Sequence, residues 1–398
     1  MKTIAMLALV LAPMYASTDS SSWETHSAAG KTAYDRGDYQ LARSEFDLAL
    51  RQADQLPPLD RRRATSLCNA ALAAKAQARY PEAEALLQRA IRILDSTAPM
   101  EIFTIDAHEK LATLSRLLGR DAVAEGIYHS VITDLTTIGA VNSKQYAVAL
   151  NNLGELYASQ GRFARAEEHY RKSLEVTRVA FGATDSQVGV RLHNLAQVAA
   201  HARRFAEAER LYRQSITITR ESRGSNHPQV AATLNNLAQL MIQRKKYTTA
   251  EQLFQQALQI WEVSVGTAHP DYASGLSNLA TMYHLRRKSV KAEGLYQQAL
   301  AIDEAAFGLV HPSVARDLNN LGTVAFETRR YADAEPLYVR ALRIREATLD
   351  RNHPALQDSL NNLAGLYFRM GRPAEGEIAA TKAMTIRVRN TLRDGHSE

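Results

Sequence analysis

Hydrophobic residues recur along this chain at the spacing of amphipathic helices. One stretch carries apolar or small residues at positions i, i+3, i+4 and i+7, which predicts a helix with one buried face. A second stripe follows, in which small and large residues alternate as they do where two helices approach closely. Each such unit is therefore predicted to be a helical hairpin. The first stripe is Leu150, Leu153, Gly154 and Tyr157, and the second is Ala166, Tyr170, Ser173 and Leu174.

The hairpin pattern repeats with a period of 42 residues, and such a period is the signature of a repeat protein. Weaker copies occur around Lys110, around Asn69 and nearer the start of the chain. About nine units extend from near Trp23 to near Leu392, so the predicted fold is an all-α solenoid. An asparagine column marks the clearest copies at Asn152, Asn194, Asn236, Asn278, Asn320 and Asn362.

Glycine and proline mark the predicted helix ends. A glycine in the left-handed conformation is expected to stop each second helix, and a proline in the first turn is expected to start the next first helix. The glycines are Gly182, Gly224, Gly266 and Gly308, and the prolines are Pro228, Pro270, Pro312 and Pro354.

One copy shows the repeat consensus in full. It contains Leu234-Asn235-Asn236-Leu237-Ala238, Lys246-Tyr247, Ala250-Glu251, Phe254, Ala257-Leu258 and His269-Pro270. These residues resemble the tetratricopeptide repeats of the kinesin light chain type, and the likeness covers nearly the whole chain. The resemblance implies a right-handed superhelical solenoid of about nine hairpins whose first helices line a concave groove. It implies a protein-binding scaffold, and it does not imply a motor.

The first 18 residues have the layout of a secretory signal, with Lys2 followed by an apolar run and then small residues. Cleavage is expected after Thr18, which leaves residues 19–394 as the solenoid and residues 395–398 as a disordered tail. The protein is expected to be periplasmic or secreted if this signal is real, and cytoplasmic otherwise. Cys68 is the only cysteine, so a disulfide within the chain is excluded.

Three repeated columns are interpreted as structural. The asparagine column is followed by leucine in every copy, and a buried amide needs partners, so it is predicted to clamp one unit to the next. The His-Pro pairs are predicted to cap helices or pack loops, because units about 8–10 Å apart cannot bring their histidines to one zinc ion. A glutamate column that includes Glu167 is placed in the first turn of each second helix, where it suits the helix dipole.

The stripe that begins one residue before the clamp asparagine is mostly polar and is predicted to face the groove. It changes from small to aromatic towards the C-terminus, which suggests an apolar pocket, although packing on the neighbouring first helix is an equal alternative. Most groove columns lack basic residues, Arg316 and Arg369 being the exceptions, so a carboxylate ligand is disfavoured. The predicted peptide-binding residues are Asn151, Glu155, His193, Gln197, Asn235, Gln239, Ile242, Ser277, His284, Asn319, Phe326, Asn361 and Phe368.

Basic residues form a further column in the turns between helices. They contribute to a net charge of +6 and a pI near 9.3. Cations at the end of a first helix suit its dipole, and the alternative is a ridge that binds an anionic surface such as a membrane or nucleic acid. The predicted ridge is Arg162, Arg204, Lys246, Lys288, Arg330 and Arg372.

The sequence contains no phosphate-binding glycine loop, metalloprotease motif or nucleophile elbow. We therefore expect no catalysis, cofactor, metal or small-molecule substrate. The favoured function is a scaffold that binds a peptide or protein segment in the groove, and the alternative is an electrostatic binder that acts through the ridge.

Overall fold

The computed structural model describes residues 20–394, and the expected signal segment 1–18 and tail 395–398 lie outside them. Within the described residues the chain forms eighteen helices and no strand. They pair as α1 (Ser20–Asp35) with α2 (Tyr39–Ala53), α3 (Arg61–Ala76) with α4 (Tyr80–Thr97), α5 (Ile102–Leu117) with α6 (Asp121–Thr137), α7 (Lys144–Ser159) with α8 (Phe163–Phe181), α9 (Ser186–His201) with α10 (Phe205–Arg223), α11 (Pro228–Gln243) with α12 (Tyr247–Ser264), α13 (Pro270–Leu285) with α14 (Ser289–Phe307), α15 (Pro312–Glu327) with α16 (Tyr331–Thr348), and α17 (Pro354–Arg369) with α18 (Pro373–Asp394).

The nine hairpins stack in chain order, which confirms the predicted solenoid. Each second helix packs against its own first helix and against the first helix of the next hairpin. First helices also contact each other, as α5 does with α7 and α11 with α13. Among residues 20–394, successive second helices make no comparable contact. The first helices therefore line the inside of the curve.

Small residues on the first helix receive large rings from the second. A β-carbon on Gly154 would lie 2.8 Å from Cδ1 of Tyr170, and one on Gly322 would lie 2.7 Å from Cε1 of Tyr338. Both tyrosines are about 2% exposed. Rings at this column thus fill the space that the missing side chains leave, which explains the alternation of small and large residues in the sequence.

Three of the second helices, α8, α10 and α14, end at glycine, although in a different conformation from the one expected. Gly182, Gly224 and Gly308 have φ of 89°, 93° and 83°, but their ψ angles are 161°, 159° and 176°. This is the extended region open essentially to glycine, so the prediction of a left-handed stop is wrong in ψ while the need for glycine holds.

The His-Pro pairs start four first helices, as predicted. The histidine is the N-cap, and its Nδ1 accepts a hydrogen bond from the backbone N–H two residues later, at 3.1–3.2 Å. The proline follows in the first turn, where no N–H is needed. Burial lowers the pKa of each imidazole, and that of His311 falls to about 4. The caps are His227, His269, His311 and His353.

The superhelix completes one turn in six hairpins, and the seventh hairpin packs against the first. A β-carbon on Gly37, in the turn of the first hairpin, would lie 2.7 Å from Cδ2 of His269, which caps the seventh. The ring of Tyr39 stacks on that of Phe307, with centroids 5.5 Å apart. His311 hydrogen-bonds the backbone of Ala76, so the eighth hairpin also contacts the second. We call this contact between successive superhelical turns the seam.

The seam continues into the last hairpin. A β-carbon on Gly119, in the turn of the third hairpin, would lie 3.7 Å from Cδ2 of His353, which caps the ninth. The first, second and third hairpins thus pack against the seventh, eighth and ninth across the seam. Along the described residues, no helix is both long and apolar enough to cross a bilayer, and no cluster of ligating side chains could hold a metal ion.

Candidate functional site

The predicted groove residues fall into three groups of exposure on the inner helices. Four members of the first column, which precedes the clamp asparagine, are buried, so the expectation that this column lies outside the core is wrong for them. The buried residues are Asn151, His193, Asn235 and Ser277; the partly buried residues are Gln197, Ile242, His284, Asn319 and Phe326; and the exposed residues are Glu155, Gln239, Asn361 and Phe368.

The first column is buried because the next hairpin hydrogen-bonds it. Asn194 Nδ2 donates to Asn151 Oδ1 at 2.6 Å, and Asn278 Nδ2 donates to Asn235 Oδ1 at 3.1 Å. The same bond joins Asn362 to Asn319 at 2.8 Å. Each clamp asparagine is itself half-buried, and all of them except Asn320 hydrogen-bond the hairpin before them. The predicted clamp between units is therefore confirmed, and its acceptor is the residue that sequence reasoning assigned to the groove.

Two junctions use other acceptors for the same bond. Asn152 donates to Glu109, and burial raises the pKa of that carboxyl. Asn236 Nδ2 lies 3.0 Å from Nε2 of His193, whose Nδ1 lies 3.1 Å from the Thr233 hydroxyl. Nε2 must accept from the amide, so the ring is neutral with its proton on Nδ1. Burial lowers its pKa to about 4, which fits this arrangement.

The junction between the seventh and eighth hairpins is built differently. Ser277 Oγ donates to Asp317 Oδ1 at 2.7 Å. Arg316 joins Asp317 to Asp303, with bonds of 3.1 Å to each carboxylate, and both acids are almost fully buried. Burial, followed by the neighbouring Asp317 charge, raises the pKa of Asp303. The sequence contained one sign of this cluster, namely a carboxylate in a column that has none in the five other copies compared. The residues that correspond to Asp317 in those copies are Ala149, Arg191, Thr233, Gly275 and Ser359.

The aromatic end of the groove is partly open. Phe368 is 50% exposed and lies over Gly376 of its own hairpin, where an added β-carbon would be 2.9 Å from Cε1. Phe326 is half-buried against Tyr331, with ring centroids 5.6 Å apart. The Phe368 ring therefore packs in part on the second helix of its own hairpin. His284 lies between these residues and the polar part of the groove.

His284 faces a mixed environment. Its Nε2 lies 3.5 Å from a carboxylate oxygen of Glu327, one hairpin further along. Its Nδ1 is buried and has no hydrogen-bond partner among the described residues. A donor or acceptor from a bound chain would satisfy this atom.

The four arginines of the predicted basic ridge all form ion pairs within the protein. Arg204 lies 2.6 Å from Glu167, Arg330 lies 2.8 Å from Glu293, and the pattern recurs along the stack. In these hairpins the arginine immediately before the second helix reaches the glutamate column of the preceding hairpin. That column sits in the second turn of its helix rather than the first, and its role is to join hairpins. The further pairs are Arg120–Glu84, Arg162–Glu125 and Arg372–Glu335.

The two lysines of the predicted ridge do not join this row. In their hairpins the arginine stands two residues earlier, so that Arg244 binds Glu209 and Arg286 lies 3.9 Å from Glu251. Within residues 20–394, Lys246 and Lys288 make no ion pair. A guanidinium can form a forked contact that an ammonium cannot, which explains why arginine takes this position wherever the glutamate must be reached.

The family comparison agrees with the repeat pattern. A tetratricopeptide repeat family model matches residues 24–96, 190–255, 229–305 and 311–387, and a second tetratricopeptide repeat model matches residues 147–187. These ranges reach eight of the nine hairpins and leave out the third, α5 with α6, where lysine replaces the clamp asparagine. A search of curated proteins found no match.

Several solved structures are similar to this chain. The crystal structure of BtubC (BKLC) from P. vanneervenii is 24% identical, with a TM-score of 0.48 over 58% of this chain and 90% of that one. A putative kinesin light chain with nearly identical repeats from Podosopora anserina is 23% identical, with a TM-score of 0.43 over 52% and 97%. PilF of Pseudomonas aeruginosa is 20% identical, with a TM-score of 0.40 over 58% and 88%.

Proposed function

The chain belongs to the tetratricopeptide repeat family, and on this basis we propose that it is a non-catalytic scaffold that binds a polypeptide segment in its inner groove. Proteins of this family are generally interaction scaffolds without an active site. The proposed segment lies across the C-terminal part of the groove, from Gln239 and Ile242 past His284 to Phe326 and Phe368. Its class is a peptide or protein region, in accordance with the family.

The exposed ring of Phe368 carries the proposal. Half of this side chain is in water, although burial of apolar surface is worth roughly 25 cal/mol for each Å². A ligand side chain that covers the ring gains this free energy, and aromatic residues of this kind often dominate binding. The half-buried Phe326 extends the apolar surface, and the unpaired Nδ1 of His284 offers a polar contact beside it.

In this proposal the buried first column shapes the groove and does not contact the bound segment. Asn151, Asn235 and their equivalents hold the hairpins together and so fix the curvature of the groove. Asn361 differs because it is exposed in the last described hairpin, where no following asparagine reaches it. Among the predicted polar residues, Asn361, Gln239 and Glu155 are thus the ones open to a bound chain, although Glu155 already lies 3.3 Å from Arg116.

The test is selection of binding peptides from a random displayed library, followed by affinity measurements on variants. Phe368→Ala should weaken the selected peptides by about ten-fold or more, which corresponds to about 1.4 kcal/mol. Val290→Ala is the matched control, because Val290 is 87% exposed on the outer helix α14. The groove proposal fails if no peptide is selected, or if the Phe368 variant binds as tightly as the control.

We also propose that the protein is exported, on the basis of the N-terminal pattern alone. Cleavage after Thr18 would make Asp19 the first residue of the mature chain. N-terminal sequencing of protein recovered from its native host tests this directly, and an intact Met1 start would contradict it.

A further inference from the structure

The turn between the two helices of each hairpin contains a residue with positive φ. In four hairpins this residue is a glycine, namely Gly37, Gly119, Gly161 or Gly371. In the fifth to eighth hairpins it is a cation. Because glycine adopts this conformation freely and a β-carbon opposes it, these cations are kept at a conformational cost. They are Arg203 (φ 59°), Lys245 (φ 58°), Arg287 (φ 58°) and Arg329 (φ 61°), and we call them the edge row.

Ion pairs within the protein do not explain the edge row. All four side chains are exposed, and in the part of the chain that the structure describes none of them makes an ion pair. The residues that follow them differ, since Arg204 and Arg330 are held by glutamates of the preceding hairpin. Each edge-row residue closes the C-terminus of a first helix through its backbone N–H, at a position where glycine is the usual residue. Arg203 also lies near the Phe205 ring, 5.9 Å from its centroid. The use of a cation where glycine would be unstrained points to a role for the side chain.

The edge row lies where the superhelix leaves the turns uncovered. The turns of the first three hairpins face the seam, and there the corresponding residues are Gly37, Ala78 and Gly119. A β-carbon at Gly37 would already lie 2.7 Å from His269. The turns of the fourth to ninth hairpins face no later hairpin within residues 20–394. The cations therefore occupy consecutive hairpins on the free edge and are absent from the seam.

Neighbouring charges leave the middle of the row strongly positive. At its ends, Glu207 binds Arg204 at 2.8 Å and Asp333 lies 3.8 Å from Arg330. In the sixth and seventh hairpins, no carboxylate occurs in the first four residues of the following helix. Lys246 and Lys288 add unpaired charge there. Lys245, Lys246, Arg287 and Lys288 thus form a cationic part of the edge, and none of them makes an ion pair within residues 20–394.

We propose that the edge row binds an extended, acidic polypeptide segment that runs along the free edge from the fifth to the eighth hairpin. Stacked helices are about 8–10 Å apart, and an extended chain advances roughly 3.3 Å per residue, so one carboxylate in every three residues would meet successive hairpins. The proposed surface is separate from the inner groove and does not rest on the groove proposal.

The shape of the edge favours a flexible chain over a flat surface. Six hairpins make one superhelical turn, and the edge climbs in that turn by about the length of a helix, roughly 24 Å, or about 4 Å per hairpin. A bilayer that touched Arg203 would stand about 12 Å from Arg329, beyond the Debye length of roughly 8 Å at physiological salt. Single-stranded nucleic acid is disfavoured because the aromatic residues nearest the row, Phe205, Tyr247 and Tyr331, are partly buried against the core, which leaves little of each ring on which a base could stack.

The test compares two acidic peptides of equal length and composition by fluorescence anisotropy. One has a glutamate at every third position, and the other has its glutamates in one block. The protein variant combines Arg203→Gly, Lys245→Gly, Arg287→Gly and Arg329→Gly, which removes the charge and also the backbone strain. The matched control removes four exposed cations from outer helices, with Arg178→Gln, Arg220→Gln, Lys382→Gln and Arg389→Gln.

We expect the spaced peptide to bind wild type and control, and to bind the glycine variant about ten-fold more weakly or worse, while the Tm of that variant stays equal to or above wild type. Binding should also weaken between about 0.1 M and about 1 M salt, as the Debye length falls from about 10 to about 3 Å. Equal binding to the glycine variant would overturn the proposal. So would tighter binding of phosphatidylserine vesicles or single-stranded DNA than of the spaced peptide, or equal binding of the two peptides.

Discussion

Gly37 in the first hairpin lies against the imidazole of His269 in the seventh, and this contact begins the seam between two turns of the superhelix. The same histidine caps α13 through its Nδ1, so one ring both starts a helix and supports the hairpin stacked above it. The seam therefore depends on a glycine at one position and a neutral ring at the other.

Replacement of Gly37 by alanine should open the seam. The new β-carbon would lie 2.7 Å from His269 Cδ2, and φ at this residue is +79°. We expect a loss of about 1–2 kcal/mol from the backbone conformation, together with a larger maximum dimension in small-angle X-ray scattering. Gly161→Ala is the control, since Gly161 has φ of +74° and nothing within 4 Å of the added atom. Equal dimensions for both variants would show that the seam does not hold the turns together in solution.

The ring of His193 should make the protein sensitive to acid. Its pKa is about 4 in the fold and about 6.5 in an unfolded chain, so the unfolded state takes up the proton first. This contribution to stability is complete above pH 6.5 and is lost as the pH falls towards 4. His193→Asn restores the residue found at Asn151 and Asn235 and should reduce that loss.

The measurement for His193 is the free energy of unfolding in urea at neutral pH and near pH 4.5. We expect His193→Asn to match wild type at neutral pH and to exceed it in acid by about 1–3 kcal/mol. His201→Asn, on an exposed ring of the same helix, should follow wild type at both values. An unchanged acid response in the His193 variant would contradict the assigned hydrogen bond to Asn236.

The clamp asparagines should differ in their importance. Asn278→Ala leaves Asn235 Oδ1 buried without its donor at 3.1 Å, which should cost about 1–3 kcal/mol. Asn320→Ala should cost less, because Ser277 bonds Asp317 instead and Asn320 makes no side-chain bond across the junction within the described residues. Denaturant unfolding of the two variants measures the difference, and a larger loss for Asn320→Ala would refute this account of the junctions.

The buried acid Asp303 should make the protein less stable as the pH rises. A raised pKa means that the folded state holds the proton above pH 4, so its contribution is present in acid and is lost as the pH climbs through the folded value. Asp303→Asn keeps the shape without the charge and should gain stability over wild type at pH 8 to 9. The comparison is with Asp333→Asn, whose carboxylate is 63% exposed and should show no such gain.

The repeat period was enough to predict the hairpins, because the 42-residue step places the same contacts in every copy. The ring at Tyr170 and the small residue at Gly154 could be paired from spacing alone. The sequence could not show that Asn151 is buried, because a mostly polar stripe on a helix is typical of a solvent-exposed face. Its burial depends on Asn194 of the next hairpin, and only the relative placement of the two helices brings that amide to 2.6 Å.

The seam and the charge of the edge were also beyond the sequence. Contact between Gly37 and His269 depends on a small rotation added at each of six junctions, and no single repeat encodes it. Likewise, Arg204 and Arg203 are adjacent and chemically identical, yet one lies 2.6 Å from Glu167 while the other has positive φ and points into solvent. The sequence pattern could not distinguish the paired arginine from the unpaired one, because it does not place the glutamate of the preceding hairpin.

The seam changes how the chain should come apart. In an open solenoid each unit contacts only its neighbours, so unfolding begins by fraying at the ends and spreads one unit at a time. Here the first three hairpins rest on the last three, and both ends are tied to partners six units away. Fraying of either end therefore requires loss of the seam as well as of one neighbouring unit. The terminal helices should consequently exchange amide hydrogens about as slowly as the middle of the chain.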